Sequence, residues 1–426
     1  MLDVTRLLCD QATPGDSLRY GAAAGDGDAR GTRGPRRRSG ADRRPVVVWN
    51  CTRRCNLRCV HCYARSGADA SDAGELSTRE ACTMLEDLAA FGVPAVLFSG
   101  GEPLMREDLM ELVRAACDLG HRPTLSTNGT LITARVARDI KAAGLTYVGI
   151  SLDGIGEVND RFRGMAGAFD KAVAAFRHLK DVGQRVGLRL TLTRRTASDL
   201  ERIFDFLEAE GVDRACFYHL VYAGRGEAII GDDLTYAETR AAMDTILRRT
   251  EDFCRGRSSR DILTVDNSVD GVYLYRHLAA RDAERARQVY DLLAWNGGAR
   301  YSTGVGIGCI DPVGDVHPNQ FWTHHTLGNV RERPFSRIWT DTSDLLLAGL
   351  RDRLPLLKGR CGACRWQEIC GGGSRVRADA VYGDPWAPEP ACYLADDDIG
   401  LTPERRAQLA DAGEDFPVPS ALTGER

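Results

Sequence analysis

"PVVVWNCTRRCNLRCVHC", residues 45–62, sets a strand directly against a cluster of thiols. Pro45–Trp49 is a short valine-rich run of the kind that forms a buried strand. Cys51, Cys55, Cys59 and Cys62 follow within twelve positions. A strand that ends in a knot of potential ligands raises the question of what repeats around it.

Outward from this stretch the chain becomes rhythmic. "STREACTMLEDLAAFG" (77–92) opens with Ser77 and Glu80, the spacing of a capping box, and closes on Gly92, a residue suited to the left-handed turn after a helix. "AVLFSGG" (95–101) then reads as a strand. Helix, glycine and strand recur at Gly120, Gly144, Gly183 and Gly211. Six strands are expected, at 45–49, 95–99, 123–127, 147–152, 186–193 and 214–221. Strands that alternate with helices are joined by crossovers and run parallel. The fold expected is α/β, a partial (β/α)6 TIM-like barrel. Active sites of such sheets lie beyond the C-terminal strand ends. The polar motifs fall there: the cysteines after the first strand, "SGGEP" after the second, "STNG" after the third and "SLDG" after the fourth.

The rest of the chain brackets this core. Residues 1–44 read as an N-terminal segment and flexible linker, the stretch 21–44 being rich in Gly, Arg and Asp. The core is expected over 45–234, a helical, charged bridging region over 235–300, a smaller C-terminal α+β domain over 301–400, and a tail over 401–426. A net charge of -4 gives no basic footprint for nucleic acid. No apolar run is long enough to suggest a membrane span. The N-terminus does not read as a secretory signal, which points to the cytoplasm and to reduced thiols. Fourteen cysteines, four of them in 51–62 and four in 361–392, then suggest metal ligands.

Cys55, Cys59 and Cys62 are spaced C-x3-C-x2-C. A [4Fe–4S] cube usually takes four thiolates, so three leave one iron open to another ligand. A zinc site or a redox CxxC remains the alternative on spacing alone. Cys51 would close the open iron, and is expected to be a small buried residue at the strand end.

"CNLRCVHC" (55–62), followed by Tyr63, resembles the signature of the radical S-adenosylmethionine (SAM) superfamily. The resemblance covers roughly 45–225. It implies that the open iron chelates the amino and carboxylate groups of SAM, and that one electron from the cluster releases a 5′-deoxyadenosyl radical. It also implies cofactor contacts. Gly100 and Gly101 would allow close backbone approach, and Glu102 would accept a hydrogen bond from the SAM amino group. Asn128, Ser151 and Asp153 would make polar contacts, with Arg163 on the carboxylate. An external one-electron reductant of flavodoxin or ferredoxin type is implied as a partner.

"CGACRWQEIC" gives Cys361, Cys364 and Cys370, with Cys392 downstream. This is similar to the SPASM/twitch domains that follow some radical SAM cores and bind auxiliary clusters. The full pattern carries seven cysteines; here Ser374 and Asn319 stand where two are found. One auxiliary [4Fe–4S] site is therefore expected, on Cys361, Cys364, Cys370 and Cys392. Cys309 is either a structural thiol or a ligand without visible partners.

"DSLRYG" (16–21), "CFYHLVYAGRGE" (216–227), "TLGNVRERPFSRIW" (326–339) and "GGGSRVRADAVYGDPWAPEPACYL" (371–394) resemble the tetrapyrrole-modifying members of the superfamily. That implies an iron-tetrapyrrole substrate. The reaction expected is loss of two acetate side chains from 12,18-didecarboxysiroheme, giving Fe-coproporphyrin III. Loss of propionates from the same precursor on the way to heme d1 is the alternative, with SPASM-type peptide modification behind it. A polyanionic macrocycle calls for cations, aromatic faces and an iron ligand. The candidates are Arg225, Arg375 and Arg377; Tyr218 and Trp322; and His219, His317, His324 and His325.

Overall fold

Runs of β-branched and aromatic residues between amphipathic helices form eleven strands in the computed structural model, which describes residues 1–13, 15–20, 44–256 and 260–424. They are β1 (Leu2–Asp3), β2 (Val46–Asn50), β3 (Ala95–Ser99), β4 (Arg122–Thr127), β5 (Tyr147–Ser151), β6 (Val186–Leu192), β7 (Arg214–His219), β8 (Asp261–Val265), β9 (Ile307–Ile310), β10 (Asp315–His317) and β11 (Gly328–Asn329). All belong to one sheet, in the order β1-β8-β7-β6-β5-β4-β3-β2-β9-β10-β11. Every neighbouring pair from β9 through β2 to β8 is parallel. β1, β10 and β11 add antiparallel margins. The sheet does not close, as expected of a partial barrel.

Local signals explain the crossovers. The Ser77 hydroxyl accepts from the Glu80 amide while the Glu80 carboxylate accepts from the Ser77 amide, the reciprocal cap expected for helix Thr78–Phe91. Gly92 ends that helix at φ 85°. Side chains alternate across each strand. Val47, Phe98, Leu125, Ile150 and Phe217 join the helix-facing core with Leu88, Leu112, Ile140 and Phe176. Val48, Leu97, Ser126, Arg189 and Tyr218 face the other way, into a cavity.

Four expectations change. Residues 235–300 are not all helical: β8 lies between helices Tyr236–Arg255 and Val269–Ala279. Its run "DILTV" is buried at all five positions but is short and flanked by charged helices, so their periodicity hides it. The boundary near 300 is crossed by the sheet, because β9 pairs in parallel with β2 (Val48↔Cys309). The N-terminal segment is part of the fold over residues 1–13 and 15–20. β1 pairs with β8, the Thr5 hydroxyl donates to the Arg260 carbonyl at 2.6 Å and accepts from the Ile262 amide, and Arg19 pairs with buried Asp3 at 2.8 Å. The linker expected at 21–44 lies, apart from Arg44, outside the described residues. Cys9 and Cys254 form a disulfide, which departs from the expectation of wholly reduced thiols. No helix among the described residues is long and apolar enough to cross a membrane.

Candidate active site

A cavity of about 1080 Å³ opens at the C-terminal ends of β2–β7. Cys55, Cys59 and Cys62 line it together with Tyr63, Gly100, Gly101, Asn128, Ser151 and Arg163. The cysteine loop is pinned from three sides. The Cys55 amide donates to Gly67 at 3.1 Å, Arg58 and Val60 donate to Arg163 and Phe162, and Arg225 donates through Nε to the Cys59 carbonyl at 2.7 Å and through Nη1 to the Ser66 carbonyl. Cys51 stays out of the cavity. It is fully buried in the main core, and burial pushes its thiol up to about 12.

The two glycines of "SGGEP" serve this loop as much as any ligand. The Gly101 amide donates to Thr52 and the Glu102 amide to Arg54, both at 2.8 Å. A Cβ on Gly101 would lie 2.1 Å from the Arg54 carbonyl oxygen, and one on Gly100 would lie 2.6 Å from that of Thr52. Two loops can cross this closely only where side chains are missing.

Two expected cofactor contacts need correction. Glu102 does not line the cavity. It is fully buried, and its carboxylate accepts from the Thr127 hydroxyl at 2.7 Å and from the Asn128 and Leu104 amides at 2.8 and 3.2 Å. It fixes the floor from which Asn128 projects. Asp153 is likewise withdrawn: it pairs with Arg163 and accepts from the Thr191 amide at 2.6 Å. Arg163 itself lines the cavity, with Nη1 3.7 Å from the Cys59 sulfur. A guanidinium already held by a carboxylate is aimed rather than free.

The residues present fit an iron–sulfur cube. Burial pushes the Cys55 thiol up to about 12 and raises that of Cys59, so these sulfurs become thiolates only beside a cation. The Leu57 amide points at the Cys55 sulfur at 3.4 Å, and N–H groups aimed at sulfur tune such clusters. Three thiols would leave one iron of such a cube free to take a further ligand.

A second cavity of about 450 Å³ gathers Cys361, Cys364, Cys370 and Cys392 among Val269, Val272 and Leu394. The Trp366 amide donates to the Cys364 sulfur and the Glu389 amide to the Cys361 sulfur, each at 3.3 Å. Burial pushes Cys364 up to about 11 and Cys392 up to about 12. Cys309 is elsewhere, buried on β9 with the Asn50 side-chain nitrogen 3.6 Å from its sulfur, and lines neither cavity.

Most of the expected substrate residues are not at the cavity. Arg225 is spent on the cysteine loop, as above. Arg375 is buried and donates to the Gly372, Pro385 and Ala387 carbonyls. Arg377 is buried against Glu389 at 2.8 Å. Trp322 is core, packed with Val221, Leu350 and Val376, and its indole donates to Asp379. His317 is buried and bonded to the His325 carbonyl; His324 and His325 bond Asp379 and Asp344. His219 and Tyr218 do line the cavity.

The cavity also holds residues that sequence reasoning passed over. Arg189 stacks on Tyr218, 4.8 Å from its ring, and has no hydrogen bond or ion pair among the described residues. Gln320 and Phe321, the two residues before Trp322, line the wall, and Phe321 meets Tyr63 edge-on at 5.2 Å. Asp266, just after β8, has φ 68° and a carboxylate oxygen without a partner. Burial raises its pKa. Asp270 and Tyr393 stand behind His219. Recognising "DILTV" as a strand would have exposed Asp266, since polar residues at strand ends carry the site throughout this sheet.

Three thiols beside a glycine-rich crossing, at the C-terminal end of an unclosed parallel sheet, define the class. The chain belongs to the radical SAM superfamily, which it matches over residues 49–207. A [4Fe–4S] cluster and SAM come with that membership. The chain is 50% identical to Fe-coproporphyrin III synthase of Methanosarcina barkeri (strain Fusaro / DSM 804), across 94% of this chain and 99% of that one. It is 46% identical to pre-heme d1 synthase of Dinoroseobacter shibae (strain DSM 16493 / NCIMB 14021 / DFL 12), across 84% and 88%. Among solved structures, Streptococcus suis SuiB bound to S-adenosylmethionine shares the fold at a TM-score of 0.64 and 19% identity, over 82% of this chain and 77% of that one.

Proposed function

We propose that this enzyme removes the two acetate side chains of 12,18-didecarboxysiroheme to give Fe-coproporphyrin III. The observation that carries this is the near full-length similarity to Fe-coproporphyrin III synthase. The chemistry of the cavity agrees with it: Arg189 offers an uncommitted cation for a carboxylate, and Tyr218 and Phe321 offer aromatic surface to a macrocycle.

Cys55, Cys59 and Cys62 hold the first cluster, and Gly100, Gly101, Asn128, Ser151, Tyr63 and Arg163 surround SAM. Reductive cleavage of SAM supplies the carbon radical that breaking an unactivated bond requires. Cys361, Cys364, Cys370 and Cys392 hold one auxiliary [4Fe–4S] cluster with no open iron, suited to electron transfer or support. A flavodoxin- or ferredoxin-type donor supplies electrons, and the cytoplasm is the compartment we infer.

The test is to incubate the reduced, cluster-loaded protein with SAM and 12,18-didecarboxysiroheme and follow products by mass. Loss of two acetates is expected. Loss of propionates would favour the second reading, motivated by the 46% identity to pre-heme d1 synthase. Formation of 5′-deoxyadenosine with no change in the tetrapyrrole would overturn both.

A further inference from the structure

His219 ends β7 and is 7% exposed, yet it lines the cavity. Its Nε2 lies 2.9 Å from Oδ2 of Asp270, a fully buried residue of helix Val269–Ala279. The other oxygen of Asp270 accepts from the Tyr393 hydroxyl at 2.8 Å. Tyr393 is also fully buried and directly follows Cys392 in the chain.

The tautomer follows from these contacts. A carboxylate accepts and does not donate, so Nε2 of His219 carries the proton. The lone pair then sits on Nδ1, which has no hydrogen bond among the described residues. An imidazole whose far nitrogen donates to a carboxylate is fixed in orientation and made a better base, the usual arrangement behind a metal-ligating histidine. Here the metal would arrive with the substrate.

Among the described residues no other histidine offers the same arrangement. His317, His324 and His325 do not line the cavity. His61 does, but it belongs to the cysteine loop, and its ring is stacked on Phe162 at 4.6 Å with Nε2 3.9 Å from Asp153. His219 stands on β7, separated from the cysteine strand β2 by β3–β6, and its neighbour Tyr218 carries the Arg189 guanidinium. A histidine, an aromatic ring and a guanidinium therefore line the cavity together.

We propose that His219 ligates the iron of the tetrapyrrole through Nδ1, with Asp270 and Tyr393 as positioning residues behind it. This rests on the reading that the substrate is an iron tetrapyrrole. Ligation would fix the height and rotation of the macrocycle over the cavity. It would also tie the substrate, through Asp270 and Tyr393, to the segment that carries auxiliary ligand Cys392.

The test uses the full-length, cluster-loaded protein and two probes, iron coproporphyrin III and metal-free coproporphyrin III. Resonance Raman and EPR spectra of the wild type with the iron probe should show one histidine ligand. In His219→Ala that signature should disappear and return on adding free imidazole, while the metal-free probe still binds as in wild type. Asp270→Asn should keep the histidine ligand, lower the iron–histidine stretching frequency and weaken the iron probe about 10–100-fold without affecting the metal-free one. Tyr393→Phe should shift the same frequency by less. An unchanged iron spectrum in His219→Ala, with the probe bound, would overturn the proposal and leave the substrate reading intact. If the wild type binds neither probe, the substrate reading fails and the proposal with it. Iron content and circular dichroism of each variant establish that it has folded and loaded.

Discussion

Glu389→Gln gives the sharpest test of how the C-terminal segment is joined to the core. Arg377 and Glu389 are almost wholly excluded from water, at 0% and 1% side-chain exposure. The pair is bidentate, Nε to Oε1 at 2.8 Å and Nη2 to Oε2 at 3.1 Å. Arg377 also donates to the carbonyls of Leu220 and Asp266, which adjoin His219 and the end of β8. Glu389 also accepts from the Ser374 and Ala391 amides. A glutamine keeps the shape, loses the charge and turns an NH2 toward groups that are themselves donors. It leaves a buried guanidinium without its counter-ion, a loss that costs about 3–5 kcal/mol. The melting temperature should fall by roughly 5–10 °C, since each kcal/mol is worth about 2–4 °C in chains of 150–250 residues and less in a longer one. The assay is a thermal melt of the anaerobic, cluster-loaded protein, with Arg377→Met and the double substitution alongside. The double variant should cost less than the sum of the two single ones by at least about 1 kcal/mol, because it removes both charges together. Affinity for the tetrapyrrole should fall in Glu389→Gln, because Leu220 and Asp266 lose their clamp. A loss under about 0.5 kcal/mol, the range of ordinary surface changes, would refute the reasoning.

Other outcomes follow from the same geometry. Anaerobic reconstitution should give a brown protein with about eight irons per chain, from two four-iron cubes; Cys364→Ala should halve the iron yet retain SAM cleavage, whereas Cys59→Ala should abolish cleavage. Arg189→Gln should raise KM for the tetrapyrrole about 10–100-fold through loss of a charged hydrogen bond worth about 1.5–3 kcal/mol, which initial rates over a substrate series would measure. Gly101→Ala should impair cluster loading although it removes nothing, because its methyl group would meet the Arg54 carbonyl; iron analysis and the visible spectrum would report it. Cys51→Ala should keep full iron content and SAM cleavage with only a loss of stability, since Cys51 lies in the core and away from the cavity.

Much of the site was legible because it depends on short-range pattern. The C-x3-C-x2-C spacing, the crossing glycines and the strand-end positions of Asn128 and Ser151 are properties of loops a few residues long. The substrate wall was much less legible. Arg225, Arg375 and Arg377 were reasonable cations by type, but each is taken up by carbonyls or a carboxylate that the folded chain brings from elsewhere. Arg189 lay unremarked inside a strand, and only the sheet shows that it faces the cavity beside Tyr218. Trp322 and Phe321 are adjacent in sequence, and the turn between them sends one to the core and the other to the wall.

By itself the sequence determined the parallel α/β core, the placing of three closely spaced thiols at the end of its first core strand, and the burial of Cys51. These follow from periodicity, from caps and from ligand spacing, all set within one or two elements. Tertiary structure alone decided that β9 continues the core sheet, that β8 and the N-terminal strand complete its far side, and that His219, Asp270 and Tyr393 form one chain of contacts. Those three residues come from β7, from a helix after β8 and from the segment after Cys392, separated by 51 and 123 positions. No local propensity encodes such a meeting; it arises when the sheet curves and buried polar groups find partners away from water.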